Sequence, residues 1–237
     1  MLARIARGML VAGLAVFAYV AYDYVTLPDV RALRTTNPTT TAFIDLRADE
    51  ARQAGRKPVR VQRWVPYERI SPHLRRAVLV AEDAAFYQHE GVDFDELEKS
   101  IELNWKKGQL ARGGSTITQQ LAKNLYLSPS KNPARKFREF LIARRLEAEL
   151  SKRRILELYL NVIEWGDGLY GAEAASRQYF KIPAANLAPD QAALLAAAII
   201  NPRRYTPAHP SGFLLRRQQL ILRRMGDVEP PAPIPPG

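Results

Sequence analysis

The chain has 237 residues with 47% hydrophobic and 25% charged content, so it is neither disordered nor collagen-like, and its length suits one domain with appendages. It contains no cysteine, which excludes thiolate metal sites, cysteine nucleophiles and disulfide staples; a body of this size buries enough surface to need none. With 35 Lys and Arg against 24 Asp and Glu, the net charge is +11 and the pI about 10.0, which predicts an anionic partner: nucleic acid, a phospholipid surface or a phosphorylated substrate.

The N-terminus chooses among these. From Gly8 to Leu27 the chain is apolar over about 20 residues, which at a rise of roughly 1.5 Å each matches the roughly 30 Å hydrocarbon core of a bilayer. Arg4 and Arg7 precede it, which sets the N-terminus cytoplasmic and the rest on the far side, with Tyr19, Tyr22 and Tyr24 as interfacial aromatics and Asp23 limiting the apolar run. A cleaved signal peptide is the alternative, with Val16-Phe17-Ala18 as a weak cleavage site, but the apolar run continues past it. Residues 1–27 are therefore read as a cytoplasmic tip and single-pass anchor in a bacterial inner membrane, with the body periplasmic. No nucleic acid is expected there, so the basic charge is assigned to anionic lipid or lipid phosphate.

Residues 28–42, with Pro28, Pro38 and a Thr run, resemble a polar linker. From about Phe43 to Trp64, short alternating pieces such as Val59-Arg60-Val61 predict one small hairpin. Everything after Ser71 reads helical until the Pro-rich tail at 227–237, which is expected to be extended and disordered. The folded domain is placed at 43–226, without internal repeats.

Ser71-Pro72 is an N-cap followed by proline at the first helical position, and the pattern predicts a helix running on to Gly91. Its apolar stripe contains an acid: Val78, Leu79, Ala85 and Phe86 lie one turn either side of Glu82, and His89 continues the line. Desolvation raises such a carboxyl toward the range useful for a general base, although a buried ion pair explains it equally well on this evidence. Asp83, one position round, is suited to pairing or orienting. Asp93 has a sufficient role as the cap of the next helix.

The second segment, Arg112-Gly113-Gly114-Ser115-Thr116 leading into Ile117–Asn124, is a glycine pair before a helix capped by Ser115 or Thr116. Free amides at that end, with Lys123 two turns in and Arg112 outside, suit an anion such as a diphosphate, without Walker spacing. The third segment begins at Asn132-Pro133 and keeps helical periodicity toward Asn161. Glu139 falls inward between Leu146 and Leu150, with Arg135 as its i−4 neighbour, so a structural Arg–Glu pair and a catalytic role are both open. Glu147 and Glu157 read as paired or solvated charges.

Together these segments resemble the peptidoglycan glycosyltransferases that polymerise lipid II, in their monofunctional, membrane-anchored form. Glu82 to Asp93 is similar to the family's first motif, 113–124 to its second, Arg135-Lys136-Phe137-Arg138-Glu139 to its third, and 155–166 and 190–207 to later ones. The resemblance covers roughly 43–226, and no departure touches a motif position. It implies a mostly α, lysozyme-like glycosyltransferase domain with a small membrane-associated jaw lobe, preceded by one transmembrane helix. The implied reaction transfers the growing glycan from undecaprenyl diphosphate to the 4-hydroxyl of lipid II, with inversion, releasing undecaprenyl diphosphate.

By the same resemblance Glu82 is the general base and Glu139 serves the donor side. Thr116, Gln120 and Lys123 contact donor sugar and diphosphate, and Arg135 and Lys136 the phosphates. Asp83, Phe86, His89, Gly114, Ser115 and Asn124 complete the expected binding set. No cofactor is required and no metal ligands are expected in the chain; Mg²⁺ or another divalent ion would ride on the substrate diphosphate. The implied partners are lipid II, the lipid-linked glycan, the inner membrane and other cell-wall synthesis or division proteins.

Two patterns are set aside. Ser128-Pro129-Ser130-Lys131 fits a Ser-x-x-Lys nucleophile, but no Lys-Thr-Gly accompanies it. Trp64, Trp105 and Trp165 read as packing residues rather than sugar platforms. A lytic transglycosylase or hydrolase and an inactive lipid II-binding scaffold are the rival functions; the diphosphate-binding cations and anchor speak against the first, the two inward glutamates against the second.

Overall fold

A computed structural model of the chain describes residues 1–96, 98, 114–129 and 132–226. Arg112, Gly113, Trp105, Lys131 and the 227–237 tail, all singled out above, lie outside those residues.

Nine helices are described: α1 (Leu2–Val25), α2 (Ala42–Gln53), α3 (Pro72–Glu82), α4 (Ile117–Tyr126), α5 (Pro133–Glu149), α6 (Lys152–Val162), α7 (Ala172–Phe180), α8 (Pro189–Ala198) and α9 (Gly212–Arg224). Their starts follow local chemistry, because side chains of Thr41, Ser71, Thr116, Asn132, Ser151 and Ser211 accept the backbone N–H groups that the first turn leaves unpaired. The long pattern after Pro133 divides into two helices rather than one. Leu150 is extended and Ser151 caps a new helix, because burying Leu146 and Leu150 together with Ile155 and Tyr159 needs a change of direction.

Two other expectations are corrected. Residues 42–53 form α2 instead of half of a hairpin, since the Thr41 cap starts a helix where alternation was read. The region after Ser71 is not wholly helical: strands β2 (Glu164–Gly166) and β3 (Leu169–Tyr170) make an antiparallel hairpin, and β1 (Val61–Gln62) joins β3 in parallel, Val61 opposite Leu169. The turn is built on Gly168 at φ +69, where a Cβ would come 2.6 Å from the Val59 carbonyl oxygen.

The core is made by Leu74 and Val78 of α3, Ile117 and Leu121 of α4, Ile142 and Leu146 of α5, Ile155 and Tyr159 of α6 and Leu195 of α8, all fully buried. The alanine-rich α8 packs between α3 and α9, small side chains allowing close approach. Trp165 is buried in this core, as a packing residue should be.

α1 is long and apolar enough to cross a membrane, and its side chains Met9, Leu10 and Phe17 are exposed. Residues 28–37, which read as a polar linker, lie against the body instead. Val30 and Leu33 are buried, Arg154 donates to the carbonyls of Leu33 and Thr36 at 2.8 and 2.9 Å, and Arg34 pairs with Glu149 at 2.5 Å. At the foot of α1, Asp23 pairs with Arg138 of α5 at 2.7 Å, and Arg138 also donates to the Thr26 carbonyl at 2.6 Å. Apolar residues spaced three apart in a short single turn carry no periodicity that a sequence reading can use.

Candidate active site

α3 ends at Glu82, not at Gly91. Asp83 leaves the helical region at φ −167, ψ 78, and its carboxylate accepts from the Ile117 N–H at 2.9 Å and from His89 Nε2 at 2.9 Å. Two partners outside the helix outweigh one more turn, and residues 84–90 fold back beneath it as turns. His89 therefore reaches Asp83 by chain reversal. Its Nδ1 accepts from the Gly91 N–H at 3.1 Å, which puts the ring proton on Nε2, toward Asp83. Phe86 is buried here, edge-on to Tyr87 and His89 and covered by the Lys152 ammonium 4.5 Å from its ring centre.

The start of α4 is capped largely by the protein itself. Thr116 accepts from the Gln119 N–H and Gln119 accepts from the Thr116 N–H in a reciprocal box, while the Thr116 hydroxyl donates to the Gly91 carbonyl at 2.7 Å. Asp83 is the anion that meets the Ile117 N–H, and Thr116 is buried on the Gly91 side. Asn124 donates to the Gln120 carbonyl at 2.8 Å and is also buried.

Glu82 projects from the end of α3 toward α4 and α9. Gln120 Nε2 donates to its Oε2 at 3.0 Å, and Arg217 of α9 stands 3.4 Å from Oε1. Burial pushes this carboxyl above the ordinary range; the Gln120 hydrogen bond and the charges of Arg217 and Lys123 only partly offset it, and neighbouring Asp83 adds to the rise.

Glu139 sits in a contrasting setting. It is buried on α5 and receives two cations from its own helix, Arg135 at 2.6 Å and Lys136, whose ammonium also donates to the Ser115 hydroxyl at 2.9 Å. Lys123 feels both glutamates. Burial depresses its ammonium, and the nearby Lys136 and Arg135 work in the same direction against the opposing pull of Glu139 and Glu82. Beside Lys136 opens an apolar groove of about 410 Å³ lined by Val92, Phe94, Gly114, Phe137 and Phe140.

Of the residues selected from the sequence, Gly114 and Lys136 line this groove; Arg135, Lys136, Glu139 and Ser115 are joined by direct contacts, Gln120 contacts Glu82, and Lys123 lies within electrostatic reach of both glutamates. Asp83, His89, Thr116, Phe86 and Asn124 are engaged with the protein around it. Arg217 escaped the sequence reading. Its signal resembles that of Glu82, a charge beside the buried stripe formed by Leu214, Gln218 and Ile221 on α9. Tyr159, part of the motif at 155–166, received no role although its hydroxyl donates to Gln120 Oε1 at 2.8 Å.

Asp83, His89 and Asp93 bring ligand-type atoms within 4.8 Å of one another. Within this group His89 Nε2 hydrogen-bonds to Asp83, and Asp93 Oδ1 accepts from the Glu96 N–H at 2.8 Å.

A family model described as Transglycosylase matches residues 50–226. A biosynthetic peptidoglycan transglycosylase of Nitrosospira multiformis is 50% identical over 195 residues, 82% of this chain and 85% of that protein. Another, of Chromobacterium violaceum, is 47% identical over 216 residues, 91% and 95% of the two chains. A third, of Aromatoleum aromaticum, is 55% identical over 170 residues, 71% and 74%.

Proposed function

The chain belongs to the transglycosylase family and polymerises the glycan chains of peptidoglycan, and we propose that its two inward glutamates, Glu82 and Glu139, divide the reaction between acceptor and donor. Glu82 takes the proton of the lipid II 4-hydroxyl as that oxygen bonds to the anomeric carbon of the growing chain. The bond from that carbon to the undecaprenyl diphosphate oxygen breaks with its electron pair, and one displacement inverts the centre. Arg135, Lys136 and Lys123 meet the charge that develops on the leaving diphosphate, where fixed cations stabilise the transition state more than the ground state. Glu139 holds two of these cations in place on the donor side. The apolar groove next to Lys136 suits the prenyl chain of a lipid-linked donor.

The observation that carries this reading is the contrast between the glutamates. Glu82 is raised by burial and is met by one guanidinium at 3.4 Å and the neutral Gln120 amide, whereas Glu139 is compensated by two closely contacting cations and is suited to positioning. A divalent ion, where one assists, is assigned to the substrate diphosphate itself. With Arg4 and Arg7 in the first two turns of α1, ahead of its apolar run, the chain crosses the inner membrane once, N-terminus inside and catalytic body outside, where lipid II and the lipid-linked glycan are its partners.

The test is labelled lipid II given to detergent-purified wild type and Glu82→Gln, with polymer separated from lipid. The wild type makes lysozyme-sensitive glycan, and the variant, folded and still binding lipid II, loses about 10²- to 10⁴-fold in rate. Wild-type rates from the variant would remove Glu82 from the role.

A further inference from the structure

The motif at 155–166 delivers one side chain to the site that the reaction scheme does not use. Tyr159 of α6 is fully buried; its hydroxyl donates to Gln120 Oε1 at 2.8 Å, and Gln120 Nε2 donates to Glu82 Oε2 at 3.0 Å. We propose that Tyr159 is a positioning residue that acts through Gln120, holding the amide with its N–H toward Glu82 so that the base is kept ionised and ready to accept a proton. The proposal rests on Glu82 being the base.

A glutamine amide can turn over and exchange its oxygen for its NH₂ group with little change of shape. With NH₂ toward Glu82 it favours the carboxylate; with oxygen toward Glu82 it favours the acid, which has a proton to give. The tyrosine decides between the two. Turned over, the amide would present NH₂ to a hydroxyl whose own proton then has no acceptor, and a buried donor without an acceptor is unfavourable. In the observed arrangement every amide group is used, since Nε2 also lies 3.4 Å from the Ser115 carbonyl. Hydroxyl, amide and carboxylate are thus polarised in one direction.

The charged groups that face Glu82 do not duplicate this. Arg217 on α9 is 3.4 Å away, Lys123 on α4 acts through space, and Asp83 opposes ionisation. None of them contacts the Gln120 amide.

The experiment measures kcat and KM for lipid II against pH in wild type, Tyr159→Phe and Glu82→Gln. Tyr159→Phe keeps the ring and removes the hydroxyl, leaving Gln120 Oε1 free to turn toward Glu82. The acidic limb of kcat then moves up by about one pH unit, and activity below that limb falls about ten-fold, with KM little changed. If Tyr159→Phe does not fold, Gln120→Leu breaks the same relay from its other end and is read for the same upward movement. An unmoved limb, with only the melting temperature lowered, overturns the positioning role and leaves Glu82 as the base. Full activity in Glu82→Gln overturns both, and that variant alone identifies which reading failed.

Discussion

Asp83 is the residue on which the geometry of the cleft depends most. It ends α3 directly behind Glu82, fixes the start of α4 through the Ile117 N–H, and holds His89. Asp83→Ala leaves a buried amide and a buried imidazole N–H without acceptors, and a destabilisation of about 3 kcal/mol is expected in urea unfolding. A loss below roughly 0.5 kcal/mol would show that water replaces the carboxylate there. Glu82 makes the opposite prediction. Burial holds its carboxyl above the value it has in the unfolded chain, so between the two values the native state keeps a proton that the unfolded state has released, and stability falls as pH rises through that window. Above the window the native protein carries a desolvated carboxylate. Glu82→Gln removes that penalty, so its melting temperature exceeds that of wild type at neutral pH, and the difference closes at about pH 4, where the carboxyl is protonated in the folded protein and largely so in the unfolded one. An equal gain at both pH values would contradict the sign.

Among the elements, the boundary between β3 and α7 has little room for change. Gly171 has φ +83, and a Cβ there would lie 2.7 Å from the Asn161 carbonyl oxygen at the end of α6. Gly171→Ala therefore combines a strained backbone with a clash against main chain, and at least about 1–2 kcal/mol of destabilisation is expected from the backbone conformation alone. Thermal unfolding beside Gly8→Ala, where a Cβ meets nothing within 4 Å, separates this from a general effect of alanine. The helix starts were legible in the sequence because an Asn or Ser cap followed by proline is a local signal, as at Ser71 and Asn132. The end of α3 was not, because Asp83 is drawn out of the helix by an amide 34 residues further along the chain.

At the scale of the whole molecule, the anchor is tied to the helix that carries Glu139. Asp23 and Thr26 grip Arg138, the residue before that glutamate, and Val30 and Leu33 bury the strap that follows. Replacing Arg138 by Gln removes the partner of a buried carboxylate and loosens the strap, so trypsin cleaves faster after Arg31 and Arg34 while the body stays resistant. Unchanged cleavage would mean that the buried leucine and valine hold the strap by themselves.

The sequence by itself determined the anchor, the helical character of the body, the inward glutamates and the cationic third motif, because each is written within one or two helical turns, where spacing alone decides which side chains share a face. Tertiary structure decided where α3 stops, that the Ile117 amide at the start of α4 is claimed by Asp83, that Arg217 and Tyr159 reach Glu82 and Gln120, and that the apparent linker is packed down. Each of those outcomes is a contact between residues far apart in the chain, and which partner a buried polar group finds depends on the packing of the helices that bring them together.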